Sequence, residues 1–281
     1  MFRGLLLAVA GTTILPGPDA GAAERWRGAT TLVWNDNVTN GERAEDVLAA
    51  LSWQSSVGTT GQRLLAGGHR LEGSVGFRAE VWPRFEGLDQ VTPEIGGAWS
   101  RKLGLGLNAP SVTASLDGSW RFARETGRGG GRAAGRVLLR QRLGAAWLFQ
   151  AGHERERFDA RQIAFARTSR TWFGRAEWNP GGRWWLAFEG ARTEGDVVSY
   201  SVPPRPDLVQ AGKPITLVDT FEQPERLLAY YFPGDTRLAA LELIHERGGF
   251  GVTLRHEQRR TSHAGPGYEN RITSLSLFTR F

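Results

Sequence analysis

Arg132, Arg136, Arg140 and Arg142 lie at even spacings, with Ala133, Val137, Leu139 and Leu143 at the odd positions between them. Side chains of an extended chain alternate in direction, so the four guanidinium groups share one face and the apolar groups the other. A wet row of guanidinium forks binds anions, because the fork matches the oxygens of carboxylate, sulfate and phosphate. Arg78, Arg121, Arg175 and Arg255 fall on the polar faces of other alternating segments. The acids Glu72, Glu80, Asp117, Glu154, Glu156, Glu177, Glu189, Glu242 and Glu257 do the same. Two arrangements are open. Either the arginines form an anion-conducting row, or they pair with these acids across neighbouring strands and fill the interior.

Other chemistry finds less support. His153, His245 and His256 each precede a Glu, and adjacent strand residues point to opposite faces, so these pairs form no dyad. His69 and His263 complete the histidines; the chain has no Gly-x-Ser-x-Gly elbow and no His-Glu-x-x-His. A lipid hydrolase using His at the membrane boundary is the least favoured alternative, and the His read as interfacial or loop residues. With zero cysteines and no paired-His spacing, no metal or cofactor is implied. Asn35, Asp36, Asn37 and Asn40 form an oxygen-rich cluster without the Ca²⁺-loop pattern, and read as a turn. Gly127-Arg-Gly-Gly-Gly131 lacks the Lys of a phosphate loop and reads as a flexible connection.

The elements that position these residues are strands. Leu71, Gly73, Val75, Phe77, Ala79 and Val81 alternate with Glu72, Ser74, Gly76, Arg78 and Glu80. Val112, Ala114, Leu116, Gly118, Trp120 and Phe122 alternate likewise with Ser111, Thr113, Ser115, Asp117, Ser119 and Arg121. This period of two has no helical competitor. The pattern predicts twelve strands, over 26–37, 46–57, 69–82, 90–101, 110–122, 132–143, 145–156, 168–179, 183–194, 236–247, 249–260 and 271–281. Connections after odd strands are long; those after even strands are mostly tight, such as Asn179-Pro-Gly-Gly182, with 58–68 and 102–109 longer. Strands of this length cross tilted hydrocarbon, for which about 9–11 residues suffice. Eleven Trp, among them Trp26, Trp34, Trp82, Trp99, Trp172, Trp178 and Trp184 near strand ends, suit membrane-interface girdles.

The fold expected is all-β: a closed antiparallel up-and-down transmembrane barrel of twelve strands, with both termini and the short turns in the periplasm. A mean hydropathy of −0.35 is compatible with it, because lipid-facing and lumen-facing residues average out. Net charge is +6, with 33 Arg against Lys102 and Lys213. There is no basic tail, zinc-finger spacing or basic helical stripe, so nucleic acid is not an expected partner. The stretch 195–235 stands apart. Pro203, Pro204, Pro206, Pro214, Pro224 and Pro233 argue against a central strand there. The segment is expected to constrict or cap the mouth, or to meet a protein partner.

Residues 1–23 carry Arg3, the apolar run Leu5–Leu15 and Ala20-Gly-Ala-Ala23, the pattern of a cleaved secretory signal, which leaves 24–281 as one barrel domain. The last residues, Arg271 to Phe281, alternate to the end, with Leu275 and Leu277 on one face and a terminal aromatic. This ending resembles the C-terminal assembly signal of Gram-negative outer-membrane β-barrels. The resemblance implies residence in the outer-membrane lipid and recognition of Phe281, Leu277 and Leu275 by the barrel-assembly machinery. In strand number, signal and Arg-bearing face the chain is also similar to the small twelve-stranded porins for acidic oligosaccharides. That similarity implies passive diffusion of small hydrophilic, preferentially anionic solutes past Arg136, Arg140 and Arg142, with Arg132, Arg78, Arg121 and Arg175 nearby. The alternative is a non-conducting barrel that anchors a partner through its long loop.

Overall fold

The computed structural model describes residues 25–212, 215–218, 220–221, 227–262 and 267–280. The expected signal at 1–23, His263 and Phe281 lie outside them. The strands are β1 Arg25–Asn35, β2 Ala50–Leu65, β3 His69–Val81, β4 Gln90–Lys102, β5 Ser111–Ala123, β6 Gly130–Leu143 and β7 Trp147–Ala160. They continue as β8 Arg167–Trp178, β9 Trp184–Ser201, β10 Ile215–Val218, β11 Leu227–Arg247, β12 Phe250–Ser262 and β13 Gly267–Arg280. Twelve of them form the wall in chain order, each antiparallel to the next, and β1 pairs with β13 from Arg27↔Arg280 to Asn35↔Ile272. The barrel is therefore closed, leaving no wall strand with an unpaired edge, as lipid demands. The thirteenth strand, β10, pairs only with β11.

Alternation holds around the wall. Leu32, Val57, Val75, Ile95, Leu116, Val137, Phe149, Phe188, Leu241, Leu254 and Leu277 are exposed on the outside. Their sequence neighbours face the lumen. Trp147 stacks on Trp178, with Trp184 at the same short-turn end, while Trp34, Trp53, Trp120 and Trp172 ring the other end. Two aromatic girdles thus bound an apolar band, the arrangement a bilayer selects. Both barrel termini lie at the short-turn end. Gly67 and Gly68, at φ +74° and +75°, make the tight β2–β3 turn there.

Three expectations on the elements need correction. β2 starts at Ala50 and runs to Leu65, so most of 58–68 is strand. The stretch 195–235 is not strand-free: β9 continues to Ser201 and β11 begins at Leu227, so the two pair as an arm beyond the wall, from Gly234↔Gly195 to Leu228↔Ser201. Pro233 is tolerated because only one edge of β11 is paired there. On the other edge, among the described residues, β10 pairs no further than Tyr230 and pairing with β12 begins at Asp235. Third, 127–131 is packed: Gly127 and Arg128 are buried, and a Cβ at Gly127 would strike the Gln162 side chain.

Candidate functional site: the capped lumen

At the long-loop end the connections turn inward and build a small core. Val38 comes from the β1–β2 connection, Trp82, Phe85 and Leu88 from β3–β4, Phe158 from the end of β7, Phe165 from β7–β8, and Phe221 from the segment after β10. Val198, Tyr200, Leu227 and Ala229 of the arm pack on the same cluster. Phe85 and Tyr200 meet Phe221 edge-on at 5.1 and 5.0 Å. Trp82, expected in a girdle, is 1% exposed in this cap instead. The β5–β6 connection supplies Arg128, whose guanidinium lies over Phe165 at 4.7 Å and Tyr200 at 5.2 Å, while its Nε reaches Glu125 at 2.6 Å. The arm bends over the mouth at Gly195, where a Cβ would run into the Thr168 carbonyl.

A polar latch fastens the arm. Helix α1, Pro206–Ala211, follows it, with Leu208 buried against Tyr230 and Phe232. Just before the helix, Arg205 is 2% exposed; its Nη2 lies 2.7 Å from Glu42 and 2.6 Å from Asp207, and its Nη1 3.6 Å from Asp46. Asp46 is buried and accepts from Ser201 Oγ at 2.5 Å and Val202 N at 2.8 Å. Hydrogen bonds from the Arg205 guanidinium hold the Asp207 carboxyl down at about 2. The Asn cluster is the turn expected and is tied to the arm. Asn37 Oδ1 accepts from Gly41 N, Asn40 takes a left-handed φ of +53°, and Asn40 Nδ2 donates to the Val198 carbonyl.

Below the cap the lumen has two unlike walls. From β13 through β5 it presents small polar groups, including Thr31, Ser56, Ser74, Ser100, Ser115 and Ser276, half-buried or exposed. From β6 through β12 it is filled by ion pairs. Arg136 meets Glu154 at 2.5 Å, Arg132 meets Glu156 at 2.9 Å and Glu154 at 3.8 Å, and Arg167 meets Glu156 at 3.5 Å. A second network joins Arg175 to Glu177 at 2.9 Å and Glu242 at 2.7 Å, and Arg255 to Glu189 at 3.0 Å and Glu257 at 2.9 Å. Arg78 meets Glu94 at 3.0 Å on the open wall, and Arg121 lies over Phe158 at 4.5 Å.

The predicted residues therefore part company. Arg132, Arg136 and Arg175 are carboxylate-paired. Arg140 and Arg142 face the lumen near the short-turn end, where Arg140 lies within electrostatic reach of Arg142, Glu177 and, from β3, Arg70. Sequence reasoning passed over Arg70, although it is lumen-facing by the same alternation; its Nε donates to Ser100 Oγ at 3.3 Å. Leu275 and Leu277 face outward in the apolar band on β13. Three of the four histidines on the strands lie beside aromatics, and the fourth, His256, meets Thr273 Oγ1 at 3.0 Å. His153 sits 4.1 Å from the Trp172 ring, His245 4.5 Å from Trp184 and His69 5.6 Å from Trp99, all on the outer wall. Among the described residues no cluster of three His, Asp or Glu fit to hold a metal is present.

A closed antiparallel barrel with this strand number has a solved counterpart in an outer membrane channel from Pseudomonas putida F1, with a TM-score of 0.59. The two chains share the fold of an outer-membrane barrel. Identity is 11%, over 94% of this chain and 97% of that one. The KdgM porin, at 8% identity, 91% and 99% coverage and TM-score 0.44, is similar more loosely. So is the NanC porin, at 8%, 92% and 99%, and 0.43. No family model and no curated protein matches the sequence.

Proposed function

We propose that the chain is an outer-membrane channel for small hydrophilic solutes, biased toward anions, and closed at its loop end by the inward-folded cap. The observation that carries this reading is the lumen below the cap: one wall of small hydroxyl groups, with Arg70, Arg140 and Arg142 gathered near its short-turn end. A barrel serving only as a scaffold has no use for a wet, small-residue wall. Like charges brought together from opposite sides of a pore raise the local anion concentration, and weak sites in series let ions leave again. The paired arginines contribute little to that field, since each is offset by a carboxylate. Selectivity is assigned to the short-turn end, where Arg70, Arg140 and Arg142 converge. Short turns and termini are assigned to the periplasm, and the cap to the cell exterior.

The test is reversal potential in a planar bilayer under a KCl gradient, on the refolded chain and on a variant in which a short Gly-Ser link replaces 202–226. The expected result is sparse opening of the intact chain and sustained anion-selective conductance of the shortened one. Arg140→Ser with Arg142→Ser should then reduce the anion preference several-fold. A correctly folded, silent barrel in both forms overturns the channel reading. It favours the interaction barrel, to which the close packing of the cap also lends support.

A further inference from the structure

The outer wall is not uniform. On β7, β8 and β9 two hollows meet at His153. The upper, of about 720 Å³, is polar; Arg155, Arg170, Glu194, Asp235 and Ser169 line it, where the arm bends inward and leaves the wall recessed. The lower, of about 520 Å³, is apolar; Val137, Leu139, Ala151 and Trp172 are among its lining residues. Its depth comes from neighbouring strands presenting Ala151, Gly174 and Gly190 side by side, between the Leu139 and Trp172 side chains. The lower hollow opens on the apolar band, and the upper lies just beyond it toward the cap.

We propose that this joined groove binds one phosphorylated, multiply acylated glycolipid of the surrounding leaflet, an acyl chain in the lower hollow and a phosphate in the upper. The inference rests on the outer-membrane reading, not on conductance. Charge complementarity selects the occupant. Arg155 projects from the outer wall at the edge of the apolar band with no carboxylate partner among the described residues, where an anionic headgroup can meet it. Across the strand pair stands Arg170, its register partner, engaged by Glu194 at 3.0 Å. Glu194 also takes Arg192 at 3.2 Å, so Arg155 keeps fork donors, and Arg170 keeps some, for phosphate oxygens. Ser262 also lines the recess. A neutral lipid would leave Arg155 unmatched, and a soluble anion would leave the apolar hollow empty.

The test uses the full barrel in nanodiscs of neutral phospholipid, with bisphosphorylated lipid A and its dephosphorylated form as probes, read by native mass spectrometry. The expected result is one retained lipid A, with the dephosphorylated form at least tenfold weaker. Arg155→Glu with Arg170→Gln should weaken lipid A tenfold or more. Gly174→Leu should do so through the acyl chain; a Cβ there approaches nothing closer than 3.9 Å, so the fold accepts it. Heat-modifiable migration of each variant verifies folding. Equal retention of both probes, or retention unaffected by either variant in a folded barrel, overturns the proposal. A silent bilayer recording does not bear on it.

Discussion

Arg205→Ala should open the cap without unfolding the wall. The guanidinium is buried and has three carboxylates around it, which do not weigh equally. Glu42 and Asp207 are 38% and 44% exposed, so each counts as a surface pair of about 0.2–1 kcal/mol. Asp46 is 0% exposed at its side chain. Breaking a buried pair by deleting one partner costs about 3–5 kcal/mol, because the other charge is left uncompensated. The Ser201 and Val202 donors keep Asp46 hydrogen-bonded, which places the loss near the lower end, about 3 kcal/mol. Wall registers do not involve Arg205, so the cost falls on the closed state of the arm. At about 1.4 kcal/mol per decade, the open fraction should rise about 150-fold. Amide exchange at 197–201 and 228–232 would report it, with wall amides such as 112–118 as the internal control. Asp46→Asn added to Arg205→Ala removes the stranded charge and should recover much of the protection. If arm exchange moves less than threefold in Arg205→Ala while the protein remains folded, the aromatic core holds the cap and the latch reasoning fails.

Phe221→Ala attacks that core from the other side; with Phe85 and Tyr200 edge-on against it, about 3–5 kcal/mol should be lost locally, seen as faster exchange at 198–201 and 227–229. Acid should act on the latch as well. Asp207 has its folded pKa depressed to about 2, so its contribution is present above the ordinary carboxylate range and lost as pH falls through the window from about 4 to 2. Proteolysis of the α1 segment by an acid-active protease should accelerate across that window, and Asp207→Asn should flatten the dependence. In the shortened-arm channel, Arg136→Ser uncovers Glu154, paired with it at 2.5 Å, and should shift the reversal potential toward cations. Glu154→Gln should shift it the opposite way; a shift of the same sign in both would refute the pairing. Removing Phe281 should lower the yield of heat-modifiable barrel in cells.

The wall was legible because a membrane barrel writes its own period. Residues 71–81 and 112–122 alternate between lipid and lumen with no other packing to satisfy, so strand and face follow from parity alone. An inward cap was among the expectations for 195–235, and residues of that segment do pack in it; the core that the cap packs on was not legible, and the reason is physical. Val38, Trp82, Phe85, Phe165 and Phe221 form a core of the soluble kind, assembled from connections far apart in sequence, and no period marks it. Their apolar character was visible, yet in Trp82 it was read as a girdle. Pro233 misled by a general rule whose condition, pairing on both edges, is not met where the arm leaves the wall.

The arginines show where parity stops. It placed Arg132, Arg136, Arg140 and Arg142 on one face, and the structure keeps them there. Their fate depends on register with the next strand, which parity does not specify. Arg136 falls opposite Glu154; Arg140 falls opposite Gln150 and Ser111. Sliding β7 by two residues against β6 would preserve every face and every apolar contact with lipid. It would nonetheless put Glu154 opposite either Ala134 or Leu138, the positions flanking Arg136. A barrel can therefore change which of its lumen charges are paired without changing which residues face the lumen. This is the physical reason that resemblance of architecture, at 11% identity, carries the fold across and leaves the cargo to the side chains.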